Sequence, residues 1–178
     1  MTTFGLFART YDQSREVFWR MDELDVVILR ELQSDARKTN RDLATAVGIS
    51  PTTALDRTRS LRARGIIRSA SLDVDLAAIG RGVQALVAVR IRPPSRQIIE
   101  AFRDWVSSLP QTLGVFVTAG TEDFIIHVGV RSNDDLYAFV IDELTQRREV
   151  TDVRTSVVYQ HIQIRWVIAT SPRPEGIR

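Results

Sequence analysis

The sequence of 178 residues contains no cysteine. This removes disulfide scaffolds, thiolate catalysis, cysteine-ligated zinc and iron-sulfur clusters together. No apolar run approaches the ~20 residues of a membrane span, so the reading is a soluble protein with no membrane partner. Met1 to Arg20 lacks the basic-then-apolar layout and small-residue cleavage site of a secretory signal, although Arg9, Arg15 and Arg20 stand among aromatics. The cytoplasm is the default compartment. Histidine is scarce: His127 and His161 fall in different expected strands, with no cysteine or carboxylate at ligand spacing. No metal site is expected, and core or interface imidazoles are the plainer reading. Gly80-Arg81-Gly82 lacks the next glycine and the strand-to-helix context of a phosphate loop. The adjacent carboxylates Glu122-Asp123 and Asp134-Asp135 suit capping and solvation better than proton transfer. With no nucleophile, base and acid set in view, neither catalysis nor a cofactor is expected.

What is present is a globular composition, 44% hydrophobic and 26% charged, enough for one domain or two small ones. The net charge of +2 decides little, but its distribution is uneven. Asp22 to Arg68 carries 9 basic against 7 acidic residues, and Ser69 to Arg178 carries 12 against 13. Within the first part, Arg57, Arg59, Arg62 and Arg64 stand against Asp56 alone, which makes Pro51 to Arg64 a candidate phosphate-facing helix. A merely solvated helix face is the competing reading.

Local signals divide the chain. Asp22 is the N-cap of a first helix, with Met21 and Val26 as a hydrophobic staple and Leu24, Val27, Ile28 and Leu32 on one face. Thr39 caps a short helix with Leu43, Ala44, Ala46 and Val47 inward, and Gly48 ends it. Ser50 followed by Pro51 opens a third helix, closed by Gly65. Two short helices around Gly48-Ile49-Ser50 outline a helix-turn-helix. At 100° per residue Ala54, Thr58 and Leu61 face inward, which turns Thr52, Asp56, Arg59 and Ala63 outward, with Thr53 and Ser60 flanking and Arg57, Arg62 and Arg64 further round. That layout suits entry into the major groove of double-stranded DNA.

A second pattern follows Ile66-Ile67-Arg68 and a linker. Strands are expected at Gln84 to Ile91, Leu113 to Ala119, Phe124 to Val130 and Val150 to Val158, and helices at Ser95 to Ser108 and Asp134 to Gln146. The first of these helices carries Ile98, Phe102, Trp105, Val106 and Leu109 on one face. The order βαββαβ is the ferredoxin-like unit, two helices over one face of a four-stranded antiparallel sheet. Leu86 and Ala88 make the opposite face of the first strand apolar as well, so a second copy of the chain is expected to cover it. Ile162, Ile164, Trp166 and Ile168 alternate with Gln163, Arg165 and Val167, which suggests a fifth strand on this sheet or its partner's. The expected fold class is α+β. It comprises an extension of open role (1–20), a winged helix-turn-helix domain (21–68), a linker (69–82), a ferredoxin-like oligomerisation domain (83–169) and a tail (170–178).

Over roughly Met21 to Ala169 the sequence resembles the leucine-responsive and asparagine-responsive regulator family, Lrp/AsnC. The residues that carry the likeness are Leu24-Asp25, Ile28-Leu29, Leu32, Asp35-Ala36-Arg37, Asp42-Leu43-Ala44, Val47-Gly48-Ile49-Ser50, Arg57, Leu61 and Gly65-Ile66-Ile67 in the first part. In the second they are Val117 to Phe124, around a Gly-x-x-Asp turn, and Thr155-Ser156-Val157-Val158. The resemblance implies a transcription regulator whose dimers bind DNA and associate further, commonly as octamers, with an amino acid or related metabolite between dimers. By position it implies an effector pocket bordered by Gly120, Thr121, Glu122, Asp123, Thr155 and Ser156. The family often has an aromatic residue where Glu122 stands, and the carboxylate in its place would favour a basic effector.

The expected DNA-binding set is Ser50, Thr52, Thr53, Asp56, Arg57, Arg59, Arg62 and Arg64. Arg57 is open between a phosphate contact and a structural salt bridge, and Asp56 between cytosine N4 and screening of its arginine neighbours. Gly120 serves either a ligand or hairpin geometry alone. The alternative to a regulator is a ferredoxin-like small-molecule enzyme with an accessory helical domain.

Overall fold

The computed structural model describes residues 21–164 and Val167. They form two compact units, one built on residues 21–72 and the other on Asp73–Ile162.

The first unit holds α1 (Glu23–Ser34), α2 (Asn40–Val47) and α3 (Pro51–Ala63). Each starts where a side chain satisfies a free backbone N–H: Asp22 accepts from Asp25 at 2.8 Å, Thr39 from Asp42 at 3.2 Å and Ser50 from Thr53 at 3.1 Å. Gly48 ends α2 at φ 76°, a left-handed cap that a side chain rarely tolerates. Ile28, Leu43, Ala44, Ala54 and Leu61 make the core, with Leu24, Leu32, Val47, Ile49, Ile66 and Ile67 packed around it. Each large aliphatic side chain so buried contributes roughly 1.5–3 kcal/mol. Two inward expectations fail. Val27 and Ala46 are exposed, because each lies about 100° round its helix from the centre of the stripe that packs. Asp25 occupies the buried position instead.

The second unit runs β1 (Val83–Ile91), α4 (Arg96–Ser108), β2 (Thr112–Val117), β3 (Phe124–Val130), α5 (Asn133–Ala138) and β4 (Val150–Val158). The strands form one antiparallel sheet in the order β2-β3-β1-β4. Ala85, Val87, Val89 and Ile91 are fully buried on its inner face. Phe102 and Val106 of α4 pack there, and the rings of Phe102 and Phe124 lie 4.8 Å apart. The second helix departs from the expected single α-helix over Asp134 to Gln146: after Ala138 it widens into a π-helix, Phe139–Leu144. Phe139 and Leu144 are both buried. Five residues apart, they would diverge by about 140° on an α-helix, and the wider turn lets both reach the core.

The outer sheet face is open and apolar in part: Leu86, Phe116 and Val158 lie on it, with Phe116 59% exposed. Of the two sheets open to the expected fifth strand, this chain's own does not receive it over residues 162–164, which pair with none of its strands. Trp166 and Ile168 lie outside the described residues. Val167 instead exchanges two hydrogen bonds with the Gln33 side chain, at 2.7 and 3.1 Å. His161 likewise falls beyond β4 and not in a strand, and its ring meets His127 edge to face at 5.4 Å.

Candidate functional site

In the helical unit, α3 buries Ala54, Thr58 and Leu61 and exposes Thr52, Asp56, Arg59, Ser60, Arg62 and Ala63. The outward face therefore has the expected composition. Ser50 and Thr53 are tied to the helix start, since their hydroxyls lie 2.8 Å apart while Ser50 caps the Thr53 amide.

Arg57 and Arg64 turn back onto α1. The Asp25 carboxylate, buried in the helical core, accepts from Arg57 Nη1 at 3.1 Å and from Arg64 Nη1 at 2.8 Å. Arg57 also pairs with Asp22. The physical reason is desolvation: a carboxylate this far from water needs charged donors, and the two arginines supply them. Between the readings left open for Arg57, the salt bridge is the one seen in the structure. The Asp22 carboxyl is held below the usual range, first by the Asp25 amide and then by Arg57. Arg59 and Arg62 have no ion-pair partner among the described residues.

In the second unit, the turn Gly120–Asp123 joins β2 to β3 and is bound from several sides. Thr118 N donates to Asp123 O at 2.9 Å, Thr118 Oγ1 to Glu122 O at 2.6 Å and Asp123 N to Val89 O at 3.0 Å. Gly120 stands exposed at φ 159°, a conformation glycine tolerates best. The Asp123 carboxylate accepts from Ile91 N at 2.7 Å and from Arg92 at 3.3 Å, so it fastens the turn to the end of β1.

Three arginines absent from the expected site converge here. Arg90 Nε donates to Thr121 O at 2.8 Å, with its Nη2 on the same oxygen. Arg92 holds Asp123, and Arg154 pairs with both Glu122 and Asp152. The Glu122 carboxyl is pulled below its ordinary value by the Thr121 hydroxyl at 2.6 Å, then by Arg154 and Arg90. Its charge is thus partnered within the turn region.

Thr155 and Ser156 hydrogen-bond to no part of the turn among the described residues. Their register explains this: Thr155 stands opposite Val87 and points to the inner face, Ser156 stands opposite Leu86 on the outer face, and the turn lies beyond Phe124, opposite Val89. Arg154, opposite Ala88, is the β4 residue that reaches it. A cleft of about 430 Å³ lies at the other end of the sheet, where Arg81, Gln111, Arg131, Asp135 and Asp142 line it. It includes none of the turn residues.

Comparison with known proteins gives two family matches in chain order. Residues 21–68 match a winged helix-turn-helix DNA-binding model and residues 84–166 the Lrp/AsnC ligand binding domain. The HTH-type transcriptional regulator AldR of Mycolicibacterium smegmatis is 38% identical over 143 residues, 80% of this chain and 84% of that protein. The leucine-responsive regulatory protein of Rhizobium meliloti is 33% identical, over 80% of this chain and 92% of its own. A Neisseria meningitidis transcriptional regulator, solved as its L-Met complex, superposes with a TM-score of 0.75 at 29% identity, covering 81% of this chain and 93% of that one.

Proposed function

The chain belongs to the Lrp/AsnC family of transcriptional regulators, and from that premise we propose how it acts: it binds double-stranded DNA as a homodimer or higher homo-oligomer and changes that binding when an amino acid or related metabolite occupies the turn Gly120–Asp123. The observation that carries this reading is the outward face of α3. Thr52 and Asp56 present hydrogen-bonding groups to base edges, while Arg59 and Arg62 extend unpaired toward phosphates. Arg57 and Arg64 act one step back, holding α3 on α1.

The open sheet face supports self-association. Leu86 of β1 and Phe116 of β2 are exposed hydrophobics on either side of β3, and a second copy related by a two-fold axis would cover both at once. Such a dimer reads two half-sites about one helical turn, or a multiple, apart. The effector acts by binding one assembly or DNA-competent arrangement better than another, since equal affinity shifts nothing. A cytoplasmic regulator and not an enzyme is the role this describes.

The test is fluorescence anisotropy with the DNA upstream of the chain's own gene, against scrambled competitor, across a salt series and with each amino acid added. Retention of specific fragments with an amino-acid-dependent affinity is the expected result. Equal affinity for scrambled DNA at every salt concentration would sink the reading.

A further inference from the structure

The charges around the turn do not cancel in an even way. Each of the three carboxylates, Glu122, Asp123 and Asp152, has a guanidinium partner: Arg154 serves Glu122 and Asp152, and Arg92 serves Asp123. Arg90 is the third guanidinium of the cluster, and its only bonds among the described residues go to the neutral carbonyl of Thr121. A guanidinium carries five N–H donors. Two are spent on that carbonyl, which leaves about three without an anionic partner.

We propose that Arg90 is the carboxylate anchor of the effector site, and that the site takes a free amino acid whose side chain carries no positive charge. This rests on the reading of the Gly120–Asp123 turn as an effector site. An arriving carboxylate meets a half-buried guanidinium with open donors beside Thr121, and the planar fork matches it in geometry as well as charge. An arriving cation meets carboxylates that are already paired, and must compete with Arg154 for Glu122 or with Arg92 for Asp123. Arg90 lies on the outer face of β1, two residues beyond Ala88 and level with Asp152. A ligand there touches β1, β4 and the turn together.

The experiment uses the full chain. Thermal-shift screening with each of the twenty free L-amino acids, followed by calorimetric titration, identifies those that bind, and the α-amide of each binder removes its carboxylate. The proposal expects binding by a non-cationic amino acid, loss of binding by its amide, and affinity reduced about tenfold or more in Arg90→Gln. Arg90→Lys keeps the charge without the fork and is expected to fall between the two. Arg131→Gln, at the far end of β3, is the control and should bind as the unaltered chain does. Unchanged affinity in Arg90→Gln and Arg90→Lys, equal binding of the amide, or preference for lysine or arginine would each overturn the role of Arg90 while leaving an effector site standing. Binding of no amino acid at all would overturn both the effector reading and the anchor.

Discussion

Asp25 of α1 accepts a hydrogen bond from Arg64 of the α3 C-terminus at 2.8 Å while only 1% of Asp25 is exposed. Arg57 bonds the other oxygen of the same carboxylate at 3.1 Å. One buried anion thus takes a donor from near the middle of the outward-facing helix and another from its end, and so fixes both the tilt and the rotation of α3. Removing the anion takes from both guanidinium groups their buried acceptor and leaves Arg57 with Asp22 alone. Asp25→Ala is expected to destabilise the helical unit by about 1–3 kcal/mol, the cost of taking the acceptor away from partly buried donors. Urea denaturation followed by circular dichroism measures it, and a loss below about 1 kcal/mol would show that the network is not structural.

The same geometry separates the arginines of α3 by role. Arg59→Ala removes an exposed, unpaired charge, so it is expected to lower DNA affinity across all sequences and reduce the slope of log affinity against log salt by about 1, with no loss of fold stability. Arg57→Ala is expected to lower the denaturation midpoint, because it strips Asp22 and Asp25 of a shared partner. Thr52→Ala and Asp56→Ala should instead change the ranking of DNA sites. Salt-dependent anisotropy on a small set of operator variants distinguishes these outcomes. An affinity and salt slope in Arg59→Ala equal to those of the unaltered chain would remove Arg59 from the interface.

Acid should loosen the helical unit through Asp22. Its folded-state carboxyl sits below the ordinary carboxylate value because the Asp25 amide and Arg57 favour the anion. A depressed pKa contributes stability above the unfolded value, and that contribution disappears as pH falls through the folded one. The stability difference between the unaltered chain and Asp22→Asn should therefore be constant near neutrality and shrink only below the ordinary carboxylate range. Denaturation midpoints of the two proteins as a function of pH test this, and a difference that persists at the acid end would contradict it.

The elements were legible in the sequence where a local signal sets them. Asp22, Thr39 and Ser50 announce helix starts within one residue because capping is a property of three or four consecutive residues. Phe124–Val130 and Val150–Val158 fall at their expected bounds because strand patterning is local too. What failed needed a partner from elsewhere. Val27 and Ala46 were expected inward and are exposed, because the packing direction is set by the neighbouring helices, and the π-helix at Phe139–Leu144 answers to the sheet beneath it. The burial of Asp25 is set by arginines 32 and 39 residues away. The Gly-x-x-Asp pattern marked the hairpin between β2 and β3, but Arg90, Arg92 and Arg154 reach it through strand register, which no single segment encodes.

A second pH response should come from the outer sheet face. His127 Nε2 lies 2.9 Å from Gln84 Oε1, and the His161 ring stands against it edge to face. Burial, and then the neighbouring His161, hold the His127 imidazole below its ordinary pKa. The folded chain therefore binds fewer protons here than the unfolded chain just below the ordinary histidine value. Stability then rises with pH through that window and is lost as pH falls across it. The opposing element β4 presents Ser156 at this level and β2 presents Gly114, so among the strands paired in this row no carboxylate offsets a proton on His127. His127→Gln removes the titrating group, and His161→Gln removes its neighbour. Both variants should flatten the fall in denaturation midpoint between about pH 7 and pH 5, His127→Gln the more completely, because its ring is the group whose burial opposes the charge. A midpoint that falls in His127→Gln as steeply as in the unaltered chain would assign the acid sensitivity to carboxylates elsewhere.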